Sequence, residues 1–307
     1  MNKTLLLSVA IFLGNFTLTP FANANEAESR APTWAELTNA SYTGLEQGAI
    51  RLSGGNWEGE PYMEGAASRP RAGLVEDVYF TGDLNGDGVD EAVVILWQSA
   101  GGTGSNSYIA VMSMQNGDVV NIGTALIGDR VKLRSWKLSN AVVSLNVLQA
   151  GESDAMCCPT MLATRNWSFQ ESKLEEGVLE TRGTLSLATL DGSEWALTHM
   201  DWNKPVAEGI EITLGFSGDR LAGKSACNRY SASIEEGDSP GSIKIGQSMG
   251  TRMACPENIM DAERKYLNAL SQVKSFSFHV GSLVLSGSMN DESRFNLLFT
   301  SVVKGEP

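Results

Sequence analysis

Along most of this chain apolar residues alternate with polar ones or gather in short runs, and almost nowhere do they recur at helical spacing. Val75–Phe80, Ala92–Trp97, Tyr108–Met114, Val131–Trp136, Ala141–Leu148 and Asn166–Phe169 each predict a strand. Turn signals separate them, among them Asn85-Gly86, Asn116-Gly117 and the run Ala100–Gly104. A second strand series follows, at Glu194–Thr198, Glu211–Phe216, Ser242–Ile245, Ser282–Leu285 and Phe295–Phe299. One helix stands within it. Ile259, Met260, Tyr266, Leu267, Leu270 and Val273 form an apolar stripe whose one exception is Glu263, and Pro256 and Glu257 suit its first turn. This spacing predicts a helix running to about Val273. The polar, charged stretch 171–188 marks a boundary near 185, between a β-rich domain over 31–185 and a second domain over 190–305. The fold class is mainly β, or α+β: two β-rich domains, the second a sheet with one helix.

Composition changes this picture in two ways. A chain of 307 residues with 42% hydrophobic content can bury two cores. With Lys plus Arg at 23 and Asp plus Glu at 36 the net charge is −13, which opposes phosphate backbones and argues against nucleic acid as a partner. At the N-terminus Lys3, the apolar run Leu5–Leu13 and Ala22-Asn23-Ala24 predict a secretory signal over 1–24, cleaved near Ala24. The run is roughly nine residues against the ~20 that span a bilayer, and nothing later is apolar for longer. The mature protein is expected to be soluble, periplasmic or secreted, and not membrane-spanning.

Four cysteines remain in that exported chain: Cys157, Cys158, Cys227 and Cys255. An even number in an oxidising compartment favours disulfides, and neither the spacing nor the two histidines, His199 and His279, supports a zinc site. Pairing Cys227 with Cys255 closes a loop worth roughly 3.5 kcal/mol of chain entropy and is the favoured arrangement. Cys157 and Cys158 could pair only across one peptide unit, where a Cα spacing of about 3.8 Å makes a strained, easily reduced ring. Two free thiols, acting as a redox pair, are the other expectation for them; two long cross-links to the remaining pair are a third arrangement.

The strongest local chemistry is the run Gly82–Glu91. Asp83, Asn85 and Asp87 place oxygens at loop positions 1, 3 and 5, Gly88 lets the backbone fold back, Val89 offers its carbonyl and Glu91 stands at position 9. Position 12 is Val94, so the loop is not an EF-hand. It resembles the loop between strands in FG-GAP repeats, although this chain has a single copy. The expectation is a structural Ca2+ that ties a hairpin; an acidic turn closing without metal is the competing one.

Glu194-Trp195, Leu197, Pro205-Val206, Ile212–Phe216, Gly223, Cys227-Asn228-Arg229-Tyr230, Thr251–Cys255, the helix and Leu283-Val284-Leu285 form an ordered set. That set resembles the META domain family of HslJ-like heat-shock proteins over about 190 to 305. The resemblance implies a small β-rich domain with one helix, associated with envelope stress and without an established catalytic role. It also places Cys227 and Cys255 at motif positions, in keeping with their pairing.

No nucleophile elbow, zincin, phosphate-loop or dinucleotide motif is present. His199 lies two residues from Asp201, a spacing open to proton transfer, but an edge histidine is the simpler reading. The chain is therefore expected to be non-enzymatic: an exported binding or interaction protein in envelope maintenance or stress response. Its partner would be an envelope protein, a peptide or a lipid, held in an apolar groove of the second domain. A hydrolase with an unrecognised site and a thiol redox sensor through Cys157-Cys158 are the alternatives.

Overall fold

The computed structural model describes residues 30–65, 67–155, 157–170 and 173–302; the expected secretory signal lies outside them. The chain opens with one helical turn, α1 (Trp34–Leu37), started by a capping box between Thr33 and Glu36. A hairpin of β1 (Ser41–Leu45) and β2 (Gly48–Arg51) follows. Next comes a five-stranded antiparallel meander: β3 (Asn56–Glu58), β4 (Arg71–Gly82), β5 (Glu91–Ser99), β6 (Asn106–Gln115) and β7 (Asp118–Asp129), side by side in chain order. A second sheet takes β8 (Lys132–Ser139), β9 (Val142–Gln149), β10 (Met161–Gln170), β11 (Lys173–Glu176) and β12 (Glu180–Thr184). Both β11 and β12 pair along β10.

The central strands β5 and β6 are buried on both faces, which is why they read as continuous apolar runs. One face packs with Leu37, Tyr42 and Leu52 from the first segment. The other packs Val93, Ile95, Ile109 and Val111 against Val143, Leu145, Val147 and Trp167 of the second sheet. The predicted strands of this region lie inside observed ones, except that Val131 just precedes β8 and Ala141 is a turn residue; in the C-terminal region Glu211, Ile212 and Ser242 precede the strands predicted to hold them. Strand β7 was hidden by its Asn121, Gly123 and Gly128. A side chain at Gly123 would meet the Phe169 ring and Leu174, which cross the sheet at that point.

The C-terminal region is one antiparallel ladder of β13 (Glu194–Met200), β14 (Thr213–Ser217), β15 (Arg220–Lys224), β16 (Arg229–Glu236), β17 (Ile243–Ile245), β18 (Met249–Gly250), β19 (Val273–His279), β20 (Ser282–Ser288) and β21 (Arg294–Ser301). Its spatial order is β17-β16-β15-β14-β13-β21-β20-β19, with β18 beside β16. Ser242 bridges Ser275, and the Phe276 N–H donates to Gly241 O at 2.8 Å, so the two ends of the ladder are drawn together. Helix α2 (Glu257–Leu270) sits between β18 and β19 and sends Tyr266, Ala269 and Leu270 into the core. It ends three residues before the expected Val273, which opens β19 instead: Val273 fills the same core from a strand.

Packing, a hydrogen bond and a cation–ring contact join the regions among the described residues. Leu148, Leu162 and Leu185 enter the C-terminal core. The Gly281 N–H, in the β19–β20 turn, donates to Leu133 O at 3.0 Å. Arg134, whose guanidinium pKa is lowered by burial, lies over the Phe278 ring at 4.6 Å.

Candidate functional site

The acidic loop connects β4 to β5, tying the hairpin as its sequence suggests. Asp83 Oδ1 accepts the Gly86 N–H at 2.7 Å and Oδ2 the Gly88 N–H at 3.0 Å. Asn85 Oδ1 accepts from Asp87 N, and Asp87 Oδ1 from Val89 N, both at 2.8 Å. Gly86 and Gly88 take φ of 80° and 88°, which only glycine adopts at no cost. Glu91 is wholly buried and accepts from Leu84 N and Asn85 Nδ2, both at 2.9 Å. Burial raises its pKa; bonds from Leu84 and Asn85 pull it back, while Asp87 and Asp83 push it up again. No lysine, arginine or histidine pairs with it among the described residues. The chemistry is that of a hard-cation donor set. Among the described residues, however, no three His, Cys, Asp or Glu side chains converge on one metal position, because the Asn85 amide nitrogen stands between Asp87 Oδ2 and Glu91 Oε1 at 2.9 Å from each.

The four cysteines form two disulfides. Cys157 is bonded to Cys158 in an exposed loop, with a Cα separation of 3.8 Å. Asp154 gathers that loop by accepting from Gly151 N, Thr160 N and Thr160 Oγ1 at 2.6 to 2.8 Å, and these bonds lower its pKa. Cys227 is bonded to Cys255, 28 positions on.

Below that second bond lies a polar network centred on the helix's single polar exception. Glu263 Oε2 accepts from Asn228 N at 2.7 Å and Ser225 Oγ at 2.8 Å, and Oε1 from Asn228 Nδ2 at 2.9 Å. Asn228 Oδ1 in turn accepts from Thr251 Oγ1 and Met253 N. Burial raises the Glu263 pKa, but the donors from Asn228, Ser225 and the Cys227 backbone outweigh it, so the net shift is downward. The network thus clamps the two segments that carry the disulfide, with Ala226, the residue before Cys227, held at φ 83°. A hollow of about 450 Å3 above it is lined mainly by polar side chains, including Arg229, Gln247 and Thr251, and so does not match the acyl-chain groove expected for this domain. His199 contacts Thr198 Oγ1 at 3.1 Å, whereas Asp201 pairs with Lys204 at 3.6 Å, so they form no proton-transfer pair.

A larger cleft, which no motif announced, lies where the three sheets meet. Its volume is about 820 Å3, within the ~300–1,000 Å3 of small-ligand sites. Trp34 of α1, Leu74 and Glu76 of β4, and Ile95 and Trp97 of β5 line one side. Arg130–Leu133 line another, and His279, Val280 and Ser282 of the β19–β20 turn close it from the C-terminal region. Each position is built in. Arg130, at φ 51°, donates its N–H to Ser105 O at 2.8 Å, pairs with Asp129 and reaches Thr103 Oγ1 at 3.3 Å. Val280 holds φ 45°, a conformation costly for a β-branched side chain and sustained by Gly281 bonding across to Leu133. His279 is solvent-exposed inside the cleft, yet the protein around it, and then the Lys132 charge, lower its pKa. Trp202 stands edge-on to its ring at 5.0 Å between centroids. Nothing in the sequence marks the cleft: Trp34, Trp97, Arg130 and Val131 are brought together by the fold alone.

Residues 188–298 match the META domain family, rather more than a third of the chain. Among solved structures, an NMR structure of a protein from Burkholderia xenovorans is 25% identical to this chain, covering 38% of it and 87% of that protein, with a TM-score of 0.31. A second NMR structure is 15% identical and covers 37% of this chain and 94% of its own, with a TM-score of 0.30. No curated protein matches the chain.

Proposed function

We propose that this META-domain-bearing chain is an exported, non-enzymatic binding protein of the cell envelope, and that the three-sheet cleft is where it takes a small ligand. The cleft carries this reading. It has the volume of a ligand site, its walls come from three separately built sheets, and a strained turn is maintained at its edge. The pairing of all four cysteines supports an oxidising compartment, and no helix among the described residues is long and apolar enough to cross a membrane. A role in envelope maintenance or stress is the physiological setting we assign to it. Differential scanning fluorimetry against a small-molecule library tests the reading. Compounds that raise Tm for the native chain and fail to do so for Trp97→Ala are expected. A library that never shifts Tm, or shifts both proteins alike, contradicts it.

Within this scaffold a calcium ion is proposed to tie the β4–β5 hairpin, held by oxygens of Asp83, Asn85, Asp87 and Glu91 and the Val89 carbonyl. Its support is the buried Glu91 carboxylate, which lacks a cationic partner among the described residues while two like charges lie nearby. The ion would supply neutralising charge and nothing catalytic. Calcium at a hundred times its dissociation constant should stabilise the protein by about 2.7 kcal/mol. Thermal unfolding in calcium and in EDTA should therefore differ by several degrees, and Asp87→Ala should erase the difference. Identical curves would mean that the Asn85-closed turn needs no metal.

A further inference from the structure

We propose that the ligand of the three-sheet cleft is a neutral oligosaccharide, an inference that rests on reading the cleft as the binding site and specifies the class of molecule it takes. The walls present hydrogen-bonding groups of both kinds with no protein partner among the described residues: the Trp97 indole N–H and Lys132 as donors, Glu76 as acceptor, and the Ser105, Ser107 and Ser282 hydroxyls as either. An acyl chain could cover the aliphatic lining but would strip water from all of these polar groups and return no hydrogen bond, at a cost for each. A strongly anionic ligand is no better matched. Arg130 already pairs with Asp129, and Lys132 shares the cleft with Glu76, so the charges close to balance. A sugar hydroxyl donates and accepts at once, which is what a lining of mixed sign requires.

The apolar part of the lining joins aliphatic side chains, among them Leu74, Ile95 and Val280, to two aromatic rings that are only partly buried. Trp34 is fixed edge-on to Tyr79 at 6.2 Å, and Trp97 comes from the doubly covered strand β5. Fixed indole rings offer flat apolar surface at little entropic cost, and the C–H face of a pyranose is flat enough to lie on one. The cleft's size leaves room for more than one ring. Gly73 lets Asn56 and Trp97 pack closely beside it: a side chain there would meet Asn56 Oδ1, Gly55 O and Trp97 Nε1 at 2.9 to 3.0 Å and displace the indole.

Isothermal calorimetry on the full mature chain tests this, with maltotriose, cellotriose and triacetylchitotriose in separate titrations and the anionic dye anilinonaphthalene sulfonate in a fourth. At least one sugar is expected to bind at millimolar concentration or below. Trp97→Ala should weaken it by about tenfold or more. Glu76→Gln and Ser107→Ala should weaken it several-fold at unchanged Tm, which separates loss of contact from loss of folding. Dye binding that is lost in Trp97→Ala, with no sugar bound, would keep the cleft as a site and overturn the saccharide class. Binding of neither would overturn both, and sugar binding indifferent to all three variants would overturn the site.

Discussion

Glu263→Ala should cost the protein about 4 kcal/mol of stability, an effect expected of a breached buried network and far beyond that of an exposed helix position. The residue is 7% exposed and accepts from Asn228 N, Asn228 Nδ2 and Ser225 Oγ. Without it the buried Asn228 N–H loses its acceptor and Asn228 Nδ2 keeps only Met253 O at 3.4 Å. Ser225 falls back on Asn228 O, to which it already donates at 2.9 Å. Glu263→Gln keeps one acceptor oxygen and the shape, and should cost about half as much, roughly 2 kcal/mol. The carboxyl also gives the network a pH dependence of known sign. Its pKa lies below the ordinary 4.5 in the folded chain, so it contributes stability above that value. This contribution is lost as pH falls through the folded-state pKa, and Glu263→Gln should lack that part of the acid sensitivity. Urea unfolding at neutral pH and again below pH 4.5 reads both effects. A Glu263→Ala midpoint equal to the parent's would show that the clamp holds nothing.

Removing the Cys227–Cys255 bond by the double change Cys227→Ser, Cys255→Ser should cost about 3.5 kcal/mol, because the bond closes a 28-residue separation in the unfolded chain. The same change at Cys157 and Cys158 removes almost no loop entropy, since their separation is 1. Dithiothreitol should accordingly lower the urea midpoint of the parent and leave that of the Cys227/Cys255 double variant nearly unmoved. The two large effects share a network, since Cys227 is the neighbour of Asn228 and its sulfur lies 3.6 Å from Met253 O. Combining Glu263→Ala with the disulfide change should therefore fall short of the sum. Additive losses would place the bond and the carboxylate in separate units.

What could be read in the chain beforehand follows from how local each signal is. Ala92–Trp97 was legible because β5 is covered on both faces and must be apolar throughout. The acidic turn was legible because Asx side chains bond backbone groups two to five residues away. Glu263 could be seen only as a break in a stripe. Its partners lie 35 and 38 positions distant, and no spacing rule reaches them. Strand β12 escaped because it is an exposed edge of Glu180, Thr181, Arg182, Gly183 and Thr184 whose strand character comes entirely from β10. The cleft is the extreme case. Trp34, Arg130 and His279 become neighbours through the stacking of three sheets, and each alone looks like an ordinary surface or core residue.

The cleft's function is most directly tested by native mass spectrometry of the chain isolated gently from cells that produce it. A complex heavier than the bare chain by one small molecule is expected, released on mild activation and absent from Trp97→Ala prepared in the same way. A single bare-chain mass for both proteins, or an adduct retained equally by both, would contradict it.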